Sequence, residues 1–256
     1  MSSAEKDSSP DVASSSSDQW GSLYKLGAVS AILSAIFSVV WSVAPIYISS
    51  IPYSGTSYSN FLTFVWQHST WYNLWFTGEA LTVVFALPLI LALYIVLGRV
   101  DKGIALIGAS TLILGGLDYL SNVGTHFYLV QEAVTFNGGC TVCAQQAVTG
   151  ALATGTASSA DNIAGLLALA GVLILSLMMF KSKITGKVPG VVGLIFVLYS
   201  LLSAAIFAPS SSTTLIELSY LPTVFFGAWI LVSGIKIFGA GKGSKAPLMQ
   251  PAAPIN

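Results

Sequence analysis

The chain has 256 residues, ten of them basic and ten acidic, so its formal charge is zero; 8% of residues are charged and 54% are hydrophobic. A soluble domain carries about 25% charged residues, which excludes an ordinary water-soluble protein, and without a basic surplus no nucleic-acid partner is expected. Mean hydropathy is +0.80, and repeated apolar runs of bilayer-spanning length predict a polytopic membrane protein whose first partner is the lipid bilayer.

Residues 1–21 are Ser-rich with few apolar side chains, a composition that cannot offset the entropy of ordering and predicts a disordered cytoplasmic tail. The start is mildly acidic and no short apolar stretch with a small-residue cleavage site follows it, so a cleaved signal peptide is not expected. At ~1.5 Å per residue, about 20 apolar residues cross a hydrocarbon core of roughly 30 Å. That measure predicts six helices, at 25–46, 75–98, 103–127, 162–180, 189–208 and 215–237. Together they make one transmembrane domain over 22–238, followed by a flexible cytoplasmic tail over 239–256. The expected fold class is all-α, a polytopic membrane helix bundle. Pro189 suits the first turn of the fifth helix, where its missing N–H costs nothing. Pro88 is expected to kink the second, and Pro222 to kink the sixth near its start.

The basic residues fall into one set of connections. Lys6 and Lys25 precede the first span, Arg99 and Lys102 join the second to the third, Lys181, Lys183 and Lys187 join the fourth to the fifth, and Lys236, Lys242 and Lys245 close the chain. The other connections, 47–74, 128–161 and 209–214, have no Lys or Arg. The positive-inside rule therefore predicts a plasma-membrane protein with both termini in the cytoplasm. The first outward loop is crowded with rings, among them Tyr58, Phe61, Phe64, Trp66, Trp71, Tyr72 and Trp75. This reads as an interfacial belt with a short helix over 60–68 lying among the headgroups, the alternative being a lid over a binding site.

Glu79, Asp161 and Glu217 lie 19 or 20 residues from the nearest inner basic residue, and Asp118 lies 16 beyond Lys102. Each carboxyl is therefore expected in the outer third of a span, with no Lys or Arg on that side to neutralise it. Asp161 and Glu217 also suit helix N-termini, where the macrodipole favours them. On the third span Thr111, Gly115, Asp118, Asn122, Thr125 and His126 recur at helical spacing and make one polar stripe, with Glu79 and Thr82 as a matching edge. One reading is an outward-facing polar cavity in which Glu79, Asp118, Asn122 and His126 bind a cation or relay protons. The other is a buried hydrogen-bond network joining helices.

Both histidines and both cysteines, His68, His126, Cys140 and Cys143, are expected on the outer side. Cys140-x-x-Cys143 with two imidazoles could complete an outer metal site of Cys₂His₂ type. A disulfide between Cys140 and Cys143 fits an oxidising exterior better, and thiol redox chemistry is a third option. Ser30, Ser34, Ser38 and Ser42 form an unbroken four-residue repeat on the first span, read as a packing face with a pore lining as the alternative. There is no phosphate-cradling Gly loop, no H-E-x-x-H, no G-x-S-x-G, no intramembrane Lys and no facing pair of haem-ligating histidines. No catalytic residue is assigned and an enzyme is not the leading expectation.

The segments GKVPGVVGLIFVLYSLL at 186–202, LPTVFFGAWILVSGIKIF at 221–238 and LYIVLGRVDKGIALIGAS at 93–110 resemble a family of prokaryotic six-span integral membrane proteins known as a domain of unknown function. The resemblance implies the six-span, both-ends-inside architecture over 22–238 and implies no activity. The leading functional expectation is the binding or conduction of a small solute or cation through an outer acidic cavity. The alternatives are a non-catalytic subunit of a larger membrane complex, or of a homo-oligomer, and an extracytoplasmic metal or thiol redox enzyme.

Overall fold

The computed structural model describes residues 15–52, 55, 57–140, 163–207 and 217–243, and among them all regular structure is helical. In chain order α1 is Ser15–Ser49, α2 is Tyr58–Gln67, α3 is Ser69–Leu97 and α4 is Lys102–Asn137. Next come α5, Ile163–Met179, then α6, Lys187–Leu202, continued by a π-helical turn Ser203–Phe207, and α7, Pro222–Gly243. Five of these, α1, α3, α4, α6 with its π turn, and α7, are long and apolar enough to cross a membrane, and α5 is a shorter apolar helix. The protein is an all-α bundle with the character of a multi-pass membrane protein.

The six apolar helices close into a ring of successive contacts, and α3 also touches α7 across it. Small residues set the distances, because helices in an apolar medium gain by close contact rather than by escaping water. A Cβ on Gly78 of α3 would come within 2.7 Å of the Trp41 backbone nitrogen on α1. One on Gly171 of α5 would meet the Leu112 nitrogen of α4 at 2.7 Å and the Gly108 carbonyl at 2.9 Å. Gly116 places α4 against Val83 of α3, Gly190 places α6 against Ser176 of α5 and Phe180 just after it, and Gly234 places α7 against Ala31 of α1. Phe196 of α6 and Phe226 of α7 complete the circuit with ring centres 5.4 Å apart.

The serine repeat of α1 is buried from end to end, with Ser34, Ser38 and Ser42 fully enclosed. Ser34 donates from its hydroxyl to the Thr82 carbonyl of α3 at 2.7 Å, and Ser42 is hydrogen-bonded to Thr223 of α7. The face is therefore a packing seam, with hydroxyls bonded across it. The opposite face of α1 exposes Leu26, Val29, Ile32, Ile36, Val39 and Val43. Such an apolar stripe would be unstable in water and is suited to acyl chains.

Several element boundaries differ from the sequence expectation. α1 begins at Ser15, inside the span assigned to the tail, and α7 runs on to Gly243. Pro222 is the first residue of α7 and not a kink within it, which is where a residue lacking an N–H is accommodated. α3 begins at Ser69, six residues before the expected 75, and holds Pro88 inside it. The largest difference is α4, which continues ten residues beyond the expected end at 127, to Asn137. Its 36 residues make a rod about 54 Å long, well beyond a hydrocarbon core of roughly 30 Å.

What holds the projecting part is the aromatic loop. α2, capped by the Ser57 hydroxyl, which accepts from the Asn60 N–H at 3.3 Å, buries Leu62 and Val65 against Val130 and Ala133 of α4 and Tyr72 and Phe76 of α3. The rings expected as a headgroup belt thus build a second core at the end opposite the basic residues. Asp101 accepts from the Ile104 N–H at 3.0 Å and starts α4 at the other end, where Arg99 donates to the Tyr24 hydroxyl and ties the α3–α4 turn to α1.

Candidate functional site

All six apolar helices contribute to one interior cavity of about 360 Å³, within the size range of small-molecule sites. Six rings dominate its wall: Trp41 from α1, Trp75 from α3, Tyr119 from α4, Phe196 from α6, Tyr220 from the turn before α7, and Phe226 from α7. Between them stand the hydroxyls of Ser200, Ser203, Ser219 and Thr223. Among the described residues no charged side chain lines it.

The hydroxyls are oriented by the backbone. Ser200 donates to the Phe196 carbonyl at 2.8 Å, Ser203 to the Ser219 carbonyl at 3.0 Å and Thr223 to the Tyr220 carbonyl at 2.9 Å. With their protons committed, Ser200 and Ser203 have lone pairs left to accept hydrogen bonds, while Thr223 is also bonded to Ser42. Burial pushes the Tyr220 phenol above its ordinary range and keeps it neutral. Trp75 and Tyr220 meet edge to face at 6.0 Å, and Trp41 and Tyr119 do so at 5.6 Å, which fixes the rings of four different segments.

The expected acidic site is split by helix rotation. The cavity residues of α3 are Trp75, Val83, Ala86, Leu87 and Ile90; Glu79 is not among them, and its carboxyl faces α4 instead. Glu79 is 3% exposed, and His126 Nδ1 of α4 stands 3.9 Å from its Oε2. The His126 ring lies on Phe76 with centres 4.7 Å apart. Asn122, one turn below His126, is buried. Asp118 stands apart from the pair: it is half-buried and turned about 100° from Tyr119, the cavity residue beside it.

His68 ends α2, and its Nδ1 lies 2.8 Å from the Phe64 carbonyl, with its ring against Phe64 at 4.4 Å. Its contacts are those of a helix end. Cys140 is disulfide-bonded, and Cys143, like Asp161, lies outside the described residues. Among the described residues no three metal-donor side chains gather.

Sequence reading missed Trp41, Tyr119, Phe196, Tyr220 and Phe226 as site residues. A faint signal exists in Phe196, Ser200 and Ser203, where a ring and two hydroxyls recur at four and three residues, but the same pattern suits ordinary packing. Comparison with protein families, curated proteins and solved structures finds no match to this chain.

Proposed function

We propose that the protein is a six-span plasma-membrane protein that binds one small, largely apolar molecule in its interior cavity. The observation that carries this is the convergence of six helices on one aromatic, hydroxyl-bearing space of about 360 Å³. A bundle built only to pack would fill such a space with side chains, as interiors are close-packed. The acidic-cavity expectation is thereby recast: Glu79 and His126 form a polar wall beside the space, and the space itself suits a molecule with an apolar body.

Native mass spectrometry of the protein extracted gently from its own membranes is expected to show one bound small molecule per chain. Leu169→Trp combined with Ser200→Phe, both on the cavity wall, should abolish that adduct without changing the elution volume of the protein. An adduct of the same mass retained in the filled variant would place the molecule elsewhere and sink the proposal.

The orientation rests on the confinement of Lys and Arg to one set of connections. Reporter fusions after Asn256 and at Gly138 test it. A fluorescent-protein fusion at the C-terminus should be active, and alkaline phosphatase should be active at Gly138 and silent at the C-terminus. The reverse pattern would turn the protein over and put the aromatic α2 layer inside the cell.

A further inference from the structure

We propose that the occupant of the cavity is an uncharged alcohol with an apolar body, its hydroxyl held by Ser200 and Ser203 at the end away from the basic residues; this rests on the cavity reading above. The cavity is graded along its length. The wall residues within twelve positions of the nearest Lys or Arg along the chain are Leu87, Ile90, Leu112, Leu169, Phe196 and Phe226, and all are apolar. Every wall residue with a hydroxyl or an indole N–H lies thirteen or more positions away, Ser200 and Thr223 at thirteen and Trp41, Ser203 and Tyr220 at sixteen. At ~1.5 Å per residue the first group lies about 14–18 Å from the basic end and the second begins at about 20 Å.

The polar end is held in place before any ligand arrives. Ser203 donates to the Ser219 carbonyl at 3.0 Å and Tyr199 to the Leu218 carbonyl at 3.1 Å, so two hydrogen bonds tie the turn before α7, and Tyr220 with it, to α6. Ser200 donates within its own helix, to the Phe196 carbonyl at 2.8 Å. Both serine oxygens keep lone pairs and accept, whereas the Tyr220 phenol and the indoles of Trp41 and Trp75, on the same wall, bring donors. A hydroxyl head answers both kinds of group, since it donates one hydrogen bond and accepts others. An ether, ester or ketone oxygen accepts only and leaves the serine oxygens unused.

Other occupants match the wall less well. Among the described residues no charged side chain lines the cavity, so an ion of either sign would give up its water without a counter-charge. A hydrocarbon would cover the serine oxygens and replace none of their hydrogen bonds. A molecule polar at both ends would press one of them against Leu87, Ile90 and Leu112. One hydroxyl on an apolar chain or ring body uses the whole length of the space, and the gradient fixes which way it lies.

The test uses two photoreactive octanols, one with its diazirine beside the hydroxyl and one with it near the tail, on the full chain in phosphatidylcholine nanodiscs. Sites labelled in the parent chain and lost in the Leu169→Trp, Ser200→Phe variant are counted as cavity sites. The tail probe is expected to mark Leu87, Ile90 or Leu112, and the head probe Ser203, Ser219 or Tyr220. Competitors are then compared at equal membrane concentration: octanol, its isomer heptyl methyl ether, octanoate and octyltrimethylammonium. Octanol should displace the label at about one tenth of the ether concentration, the scale of one lost hydrogen bond in a desolvated site, and the two ions should not displace it. Ser200→Ala, which removes a hydroxyl bonded within its own helix, should narrow the gap between octanol and the ether.

Both probes marking the same cavity residues, or the reverse map, would overturn the orientation. Displacement by the ether or by either ion as readily as by octanol would overturn the hydroxyl assignment and leave the cavity reading standing. A gap undiminished in Ser200→Ala would overturn the role of Ser200. Absence of any cavity site would overturn this inference, and the co-purification experiment would still decide the cavity reading separately. The label map needs only the parent chain and the filled variant, so it decides the orientation even if Ser200→Ala does not elute as the folded species.

Discussion

Gly78→Ala is expected to destabilise the bundle by about 1–3 kcal/mol, the range for overpacking a close contact, although alanine is intrinsically the better helix residue. The added Cβ would sit 2.7 Å from the Trp41 backbone nitrogen and 3.2 Å from the Phe37 carbonyl, and neither atom can rotate away. α1 must therefore retreat from α3, which also stretches the Ser34 hydrogen bond to the Thr82 carbonyl one turn further along. The control is the same chemical change at Gly124 of α4, where a Cβ would meet nothing within 4 Å. There the gain in helix propensity stands alone, and Gly124→Ala should stabilise by up to about 1 kcal/mol. Thermal unfolding of both variants in one detergent checks this. Shifts of the same sign would mean that the α1–α3 seam is not set by close backbone contact.

Leu62→Ala carries the second large effect, a loss of about 2–5 kcal/mol of local stability, as for other buried leucines. Leu62 and Val65 are fully buried, and they are the side chains by which α2 grips Val130 and Ala133 of α4. A helix of ten residues is too short to persist on its own, since nucleation is costly and propagation gains little per residue. Removing the leucine should release α2 as a unit. Thermolysin is expected to cut the variant between residues 50 and 68 under conditions that leave the parent chain intact. Trp66→Ala, on the exposed side of the same helix, should change the cleavage rate little. Equal protection of Leu62→Ala would mean that α2 is held by something other than this cluster.

The parts of the architecture legible in the chain were those governed by composition and period. Apolar runs separated by short charged turns located the helices to within a few residues at Arg99–Lys102 and at Lys181–Lys187, because charged side chains there mark where apolar segments end. The four-residue repeat of serines correctly read as packing, since small side chains recurring on one face let another helix approach. The short helix in the aromatic loop was also legible, over 60–68 against an observed Tyr58–Gln67. Its docking partner was not. That partner is an extension of α4 whose sequence, VQEAVTFN, contains polar residues and lacks the length of apolar run that marks a span.

The candidate site was legible in part. Glu79 and His126, two of the four residues expected in one acidic cavity, stand 3.9 Å apart on adjacent helices, a contact that helical spacing does not specify. Asp118 shares the stripe with His126 in a helical projection, yet it stands two turns away and rotated from the cavity arc. Spacing along one helix defines a face but not which neighbour covers each part of it.

By itself, the sequence determined that this chain belongs among apolar helices, where those helices run, and which end of each carries the basic residues. These follow from the cost of burying charge and unpaired backbone in hydrocarbon, which acts on every segment independently of the others. Only the tertiary structure decided that six helices close into a ring, that Gly78 and Gly171 set its tightest seams, and that Trp41, Tyr119, Phe196, Tyr220 and Phe226 face one common space. Those features depend on the mutual rotation of helices far apart in sequence, and rotation is settled by van der Waals fit between whole surfaces rather than by the hydropathy of any one of them.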